Sequence, residues 1–283
     1  MTPRLSLTVL VDNTTLADHD YGGEAGLSFF IETANKKILF DTGLSGLFLT
    51  NAEKMGIGLL NLDYLVLSHG HTDHTGGLPT LARHLASTIP DGRQPRVPEL
   101  IAHPRCFWQK EREGKKNGSV MSEAEVRRQF PVNLSAEPVW ITDDLVFLGE
   151  IPRRFAFEQD DAATRMMHTP DGKCEPDCLS DDTALAFRSA GGLVIITGCS
   201  HAGICNITEY AREVCKEPHV ADIIGGLHLI APTPRRLQKT GKYLNRLHLN
   251  ALHACHCTSV PAQRALADYC PLQDVGVGMN IDW

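Results

Sequence analysis

The feature that most constrains this chain is the segment Leu65-Val66-Leu67-Ser68-His69-Gly70-His71-Thr72-Asp73-His74. An apolar run of strand character stops abruptly, and four side chains able to bind metal follow within six positions. Alternate side chains of an extended backbone share a side, so His69 and His71 face the same way. The chain then turns, with Gly70, Gly76 and Gly77 relieving crowding, and Asp73 and His74 approach from another direction. Imidazole nitrogen and carboxylate oxygen are donors that Zn²⁺ accepts at catalytic sites. One short segment can therefore feed two adjacent metal positions.

A strand ending in ligands needs a sheet to sit in, and the rest of the chain supplies one. The 283 residues, 42% hydrophobic and 22% charged, suffice for one large α/β domain or two small ones. Strands are expected at Leu5–Val11, Leu27–Thr33, Lys37–Phe40 and Leu62–Leu67, with a helix at Gly43–Met55 and another from Pro79 to Ala86. The C-terminal part alternates. Strands at Thr183–Arg188 and Leu193–Thr197 precede a helix at Ile204–Cys215. Then follow a strand at Ala221–Ile224, a helix at Pro234–His248, a strand at Ala251–Ala254 and a helix at Pro261–Tyr269. The middle, about 87–182, is read as an irregular insertion or lid, with a basic run at Lys110–Lys116 and a short helix at Ser122–Phe130. Two strand-rich halves, each feeding helices, predict two packed sheets with helices outside. A single doubly wound parallel sheet is the alternative, although no G-x-G-x-x-G follows a strand to mark a dinucleotide site.

Net charge of -7 argues against nonspecific nucleic-acid binding, which depends on phosphate neutralisation by Lys and Arg. The N-terminus reads as a first strand, not a signal peptide, and no stretch nears the ~18 apolar residues needed to span a bilayer. A cytoplasmic protein is the expectation, with most of its nine cysteines as free thiols. Among these, Cys205, Cys215, Cys255 and Cys257 are expected to be packed, while Cys174 and Cys178 could clip a metal or simply occupy a loop.

The pattern His-x-His-x-Asp-His after a strand resembles the metallo-β-lactamase superfamily. Phe40-Asp41-Thr42-Gly43 resembles that family's earlier Asp motif. Gly26-Leu27-Ser28, Asn51-Ala52, Gly198-Cys199-Ser200-His201-Ala202-Gly203, Gly225-Gly226-Leu227-His228-Leu229 and His256-Cys257-Thr258 are similar to one branch. That branch is labelled as related to a dihydropterin ribofuranosyl-aminobenzene phosphate synthase. The resemblance covers nearly the whole chain. It implies an α/β fold of the αββα sandwich type, two packed mixed sheets with helices outside, and metals at one edge between the sheets. It also implies that Asp41 fixes the tautomer of a ligand imidazole; capping the following helix is a compatible role. His256 would be the last metal ligand.

His201 lies just beyond the strand Leu193–Thr197, a placement that suits a metal ligand. The chain departs from the wider family at Cys199, where many members carry an Asp that bridges two metals. Cys199 is either a thiolate ligand or a buried thiol. His228, after Gly225-Gly226, is expected to contact substrate or transfer a proton. His168, His103, His19 and Asp182 are weaker candidates. Gly149-Glu150-Ile151-Pro152-Arg153-Arg154 resembles another motif of the branch, and Arg153 and Arg154 could clamp an anion, or form a solvated turn. Phe107 and Trp108 could wall the site.

These residues predict a metal-dependent hydrolase of a small ester, lactone or phosphoester, and the Arg153-Arg154 pair leaves room for an anionic substrate. One or two Zn²⁺ ions are expected, with Fe or Mn as alternatives. Metal-bound hydroxide would be the nucleophile, Asp73 would bind metal and orient the water, and His228 or a metal-bound water would protonate the leaving group. The rivals are an iron-dependent oxidoreductase or sulfur dioxygenase on the same fold, and a non-catalytic ligand-binding protein.

Overall fold

A computed structural model describes residues 4–17, 19–86, 96–159 and 164–283. Within Lys37–Phe40, Ile38 and Phe40 point to one side and Leu39 to the other, and all three are buried. A strand apolar on both sides needs cover on both faces, and the fold supplies it with four layers.

The first sheet has seven strands in the order Asn280–Asp282, Leu5–Val11, Ser28–Thr33, Lys37–Phe40, Tyr64–Val66, Glu99–Ala102, Val132–Leu134. Its first four strands are antiparallel, and pairing becomes parallel from Lys37–Phe40 onward. The second sheet has six strands in the order Ala251–Cys255, Val220–Gly226, Gly192–Thr197, Ala184–Ser189, Leu145–Phe147, Val139–Trp140. Its first three are parallel and the rest antiparallel. Phe29, Phe40 and Val66 of the first sheet meet Phe147, Phe187, Val194 and Ile196 of the second to form the central core. The outer face of the first sheet (Leu39, Leu65, Leu100) is covered by Phe48, Leu81 and Val126 from the helices Leu47–Lys54, Leu78–Ala86 and Glu123–Gln129. The outer face of the second (Ile195, Ile223, Leu252) is covered by Ile207, Leu244 and Leu266 from the helices Ile204–Cys215, Pro234–Leu247 and Val260–Leu266. This is the expected αββα sandwich of two mixed sheets; the single doubly wound sheet is not formed.

The middle of the chain is more regular than expected. It supplies Glu99–Ala102 and Val132–Leu134 to the first sheet, and Val139–Trp140 and Leu145–Phe147 to the second. It also forms a small antiparallel sheet in the order Cys174–Pro176, Arg165–His168, Gln109–Arg112, Lys115–Lys116. Strands of two to four residues carry too few alternations to show a period, which is why they read as irregular. Part of the expected insertion, residues 87–95 and 160–163, lies outside the described residues. Among the described residues no helix is long and apolar enough to cross a membrane.

Candidate metal centre

Parallel strands of both sheets end at one edge of the sandwich, and the chemistry-bearing residues sit just beyond those ends. Asp41 follows Lys37–Phe40, and His69, His71, Asp73 and His74 follow Tyr64–Val66. Cys199 and His201 follow Gly192–Thr197, His228 follows Val220–Gly226, and His256 follows Ala251–Cys255. Ligands of open α/β sheets bind in such crevices beyond strand carboxyl ends. Four non-glycine residues here hold a left-handed backbone: Asp41 (φ 59°), Ser200 (φ 58°), His228 (φ 49°) and His256 (φ 51°). Each such residue costs of order 1 kcal/mol or more, a strain the surrounding packing must sustain to aim the next side chain.

Two clusters form. His69, His71 and His201 make the first, all buried, and Asp73, His74, Cys199 and His256 the second; within each, donor atoms lie within 4.8 Å of one another. Cys199 also groups with His201 and His228, so its sulfur stands between the clusters. In the second cluster His74 Nε2 is 3.1 Å from His256 Nε2 and 3.2 Å from Cys199 Sγ. Asp73 Oδ2 is 3.5 Å from His256 Nε2 and 3.8 Å from His74 Nε2. In the first, His69 Nε2 is 3.0 Å from His71 Nδ1. His69, His71, Asp73, His74, Cys199, His201 and His256 are therefore brought together, from both halves of the chain.

Hydrogen bonds set the tautomers. Asp41 Oδ2 lies 2.7 Å from His74 Nδ1 and accepts the Ser68 hydroxyl at 2.6 Å, while Asp41 Oδ1 accepts the Ser68 N–H at 2.7 Å. The Ser68 proton is thus committed to Asp41, so His69 Nδ1, 2.9 Å from Ser68 Oγ, must be the donor to it. Likewise His256 Nδ1 donates to Asn13 Oδ1 at 2.9 Å, and Asp12 accepts the His256 N–H at 2.9 Å. In the neutral form of each of the three rings Nε2 is the nitrogen that holds the lone pair, and it is turned into the cluster.

Burial drives His69 far below the usual imidazole range, helped by the charge of His74. It likewise pushes His71 down to about 3, helped by Lys110, and lowers His201 strongly, helped by His228. These rings are neutral, the form that binds metal. Burial acts against a charge on His74 too, but Asp73 and Asp41 outweigh it and push this ring up to about 9. Burial opposes the Asp73 carboxylate, yet His74 and His256 hold it below the usual carboxylate range. His71 Nε2 and both ring nitrogens of His201 are buried without a hydrogen-bond partner. Buried imidazole nitrogens are rarely left so, and a divalent ion would satisfy them. The donor set therefore fits a divalent metal ion.

Other expectations change. Arg153 and Arg154 do not form a clamp. Arg153 donates to the carbonyls of His201, Cys178 and Leu179 at 3.2, 2.6 and 2.8 Å, and Arg154 pairs with Glu213 on the surface. A guanidinium surrounded by backbone acceptors within reach is consumed there, which the motif alone could not reveal. Lys110 is not a solvated member of a basic run but is buried in an ion pair with Asp181. Phe107 packs into the core outside the first sheet, and Trp108 stacks against the Arg105 guanidinium at 5.4 Å. Asp182 accepts the Ala202 N–H at 2.8 Å, bracing the loop that carries His201. His103 pairs with Glu150 at 3.3 Å, His19 stacks on Tyr21 at 5.2 Å, and His168 lies on the small sheet.

Several participants escaped the sequence reading. Cys257 is buried as expected, but its part in the site was not foreseen: its sulfur accepts the His228 N–H at 3.2 Å and sits 3.4 Å from the Cys199 carbonyl. Burial disfavours its thiolate, but hydrogen bonds from Cys199 and His228 outweigh that and lower its pKa, while burial and Cys257 together keep Cys199 protonated. Asp12 and Asn13 end the strand Leu5–Val11 at the same edge, and that strand end was the available signal. Asp181 accepts the Gly70 N–H at 2.8 Å, a contact across 111 residues that nothing local announces.

The model of the metallo-beta-lactamase superfamily matches residues 21–205. A 7,8-dihydropterin-6-methyl-4-(beta-D-ribofuranosyl)-aminobenzene-5'-phosphate synthase of Methanocaldococcus jannaschii is 31% identical over 277 residues, covering 89% of this chain and 90% of its own. This chain belongs to the metallo-beta-lactamase superfamily. An uncharacterized protein of the same archaeon is 29% identical over 265 residues, covering 92% of this chain and 93% of its own. The crystal structure of a metal-dependent hydrolase of the superfamily superposes with a TM-score of 0.81 at 27% identity, covering 98% of both chains. Superfamily members typically hold divalent metal ions, and the two clusters stand where the sheets of this fold open.

Proposed function

We propose that the protein is a metal-dependent hydrolase of a small ester, lactone or phosphoester, with His69, His71 and His201 holding one ion and Asp73, His74, His256 and Cys199 a second. The observation that carries this reading is the convergence of buried neutral imidazoles whose nitrogens lack partners, beside a second set that includes a carboxylate. A divalent ion held by these residues would lower the pKa of a bound water toward ~7 and polarise the oxygen of the bond to be cleaved. Asp41 keeps His74, and through Ser68 also His69, in the tautomer that offers Nε2. Asp73, partly exposed beside His256, orients the attacking water. His228, whose ring lies 4.1 Å from that of His201, gives the leaving group its proton. No Ser or Cys nucleophile is needed. Zinc suits the mixed nitrogen, oxygen and sulfur donors best. A synthase reaction is the second reading, favoured by the relative of that name that matches along nearly its whole length.

The test is metal analysis of protein purified without added metal, followed by turnover assays on phosphodiesters, phosphomonoesters and lactones, with His69→Ala and His201→Ala alongside. Metal-dependent hydrolysis of one class, lost in both variants together with bound metal, is expected. A metal-loaded protein that hydrolyses none of the three would reject the reading. Tightly held iron with oxygen consumption would move it to an oxidoreductase.

A further inference from the structure

The small sheet has two unlike faces. Lys110, Arg165 and Met167 point inward and are buried. The opposite face carries Glu111, His168 and Cys174. His168 pairs directly with Cys174, and Glu111 pairs with Met166, two residues from His168. Period two therefore sets all three side chains on one face, each from a different strand.

We propose that Glu111, His168 and Cys174 form a surface metal site for Zn²⁺ or a similar borderline divalent ion, separate from the centre at the sheet edge. Their donor atoms lie within 4.8 Å of one another, and Glu111 Oε1 is 3.8 Å from His168 Nε2. A tetrahedral zinc ion with bonds of ~2.0–2.3 Å spaces its ligands roughly 3.4–3.7 Å apart. The carboxylate and imidazole already stand near that spacing, and closing the widest gap takes about 1 Å of side-chain rotation. The side chains of Glu111 and His168 are 32% and 43% exposed, so such rotation meets little resistance. A carboxylate and a thiolate would neutralise the ion, and the fourth position opens to solvent.

The distribution of cysteines supports the assignment. Seven of the nine are buried, and the two exposed ones, Cys174 and Cys178, both belong to the outer strand of this sheet or the turn after it. An ion here ties three strands crosswise. One of those strands also carries Lys110 on its inner face, against Asp181 and hence Gly70. The site would fasten the small sheet where it braces the His69–His71 turn.

The experiment uses the full chain in buffers of fixed free zinc and counts the equivalents retained, comparing wild type with His168→Ala, Cys174→Ser and Glu111→Gln. Each variant is expected to hold one equivalent fewer than wild type while keeping the ions of the sheet-edge centre. With Co²⁺ in place of zinc, the difference spectrum of wild type minus Cys174→Ser should show a thiolate-to-metal absorption. Thermal unfolding with and without zinc should show a smaller zinc-dependent gain in the variants, because an ion bound only to the folded state stabilises by mass action. Equal zinc equivalents in wild type and folded variants, with a flat cobalt difference spectrum, would overturn the proposal. Because the three substituted side chains are exposed or half-buried, a loss of fold in one variant leaves the other two to decide.

Discussion

Replacing Lys110 by Met tests whether the small sheet braces the metal centre. Lys110 and Asp181 are paired with side chains 1% exposed each, and Asp177 stands 4.0 Å from the same ammonium. The methionine fills the space of the lysine stem but leaves Asp181 buried with only the Gly70 N–H to face its charge. Breaking a buried pair from one side costs about 3–5 kcal/mol. The carboxyl can escape by taking up a proton, which caps the cost at pH 7 near 4 kcal/mol for a group with an ordinary pKa of ~3.9. The expected loss of unfolding free energy is therefore about 3–4 kcal/mol. In wild type, burial would raise Asp181, but Lys110 outweighs it and lowers the pKa. Its stabilising contribution is present above the unfolded pKa and is lost as pH falls through the lower folded value. In Lys110→Met the folded pKa is raised instead, so the gap between the two proteins should be widest at neutral pH and narrow toward pH 4. Urea denaturation of chelated protein at several pH values measures this. The double variant Lys110→Met/Asp181→Asn should recover at least about 2 kcal/mol of coupling. A single variant within about 1 kcal/mol of wild type at pH 7, or a double variant no better than the sum of its parts, would refute the reasoning.

Asp41→Asn should weaken metal retention by roughly 10–100-fold, the usual cost of losing a carboxylate that orients ligand imidazoles; chelator competition reads it, and unchanged affinity would remove that role. Arg153→Ala should destabilise the fold by about 2 kcal/mol through lost charge-assisted bonds to three carbonyls, and should change KM for charged and neutral substrates alike; a selective loss for the charged one would restore an anion-binding role. Burial raises Asp182 to about 7, so its contribution to stability is present below the unfolded pKa and lost as pH rises toward 7. Asp182→Asn should therefore flatten the pH dependence of unfolding in chelated protein between about 4 and 7, by an amount on the order of 4 kcal/mol; an unchanged slope would reject the shift. Cys199→Ser should release metal from the Asp73, His74 and His256 cluster more readily than from the three-histidine cluster; two ions held as in wild type would make Cys199 a packed thiol.

How much of this was legible before the structure depended on whether a residue's role is local. His69, His71, Asp73 and His74 are fixed by one strand end, and the period of an extended chain predicted their shared direction. His201 was singled out because it follows an apolar strand, the same device in the other half, and His256 because the family resemblance implied it. The helix Ile204–Cys215 was read to the residue, because its apolar period is long enough to count. The strand Asn280–Asp282 was missed, since three residues with one half-buried side chain show no period; it exists because Leu5–Val11 offers it an edge. The clamp reading of Arg153 failed, and the burial of Lys110 went unseen, for a shared reason. Charge next to charge in sequence says nothing about which backbone carbonyl or carboxylate arrives from a distant segment.

The arrangement around Asp41 shows why such distant arrivals matter to the chemistry. One carboxylate reaches His74 directly and His69 through Ser68, so a single buried anion orients a ring in each cluster. The two clusters are then not independent sites that happen to adjoin. Their ring tautomers are set together on the side of the first sheet, while His256 is oriented separately by Asn13, and His201 has no such partner on either nitrogen. The three-histidine cluster therefore closes only when the loop after Gly192–Thr197 is pressed into place, which falls to the backbone contacts of Asp182 with Ala202 and of Arg153 with His201. Metal bound there would draw the second sheet onto a centre already shaped by the first, and ion binding would add directly to the packing free energy between them.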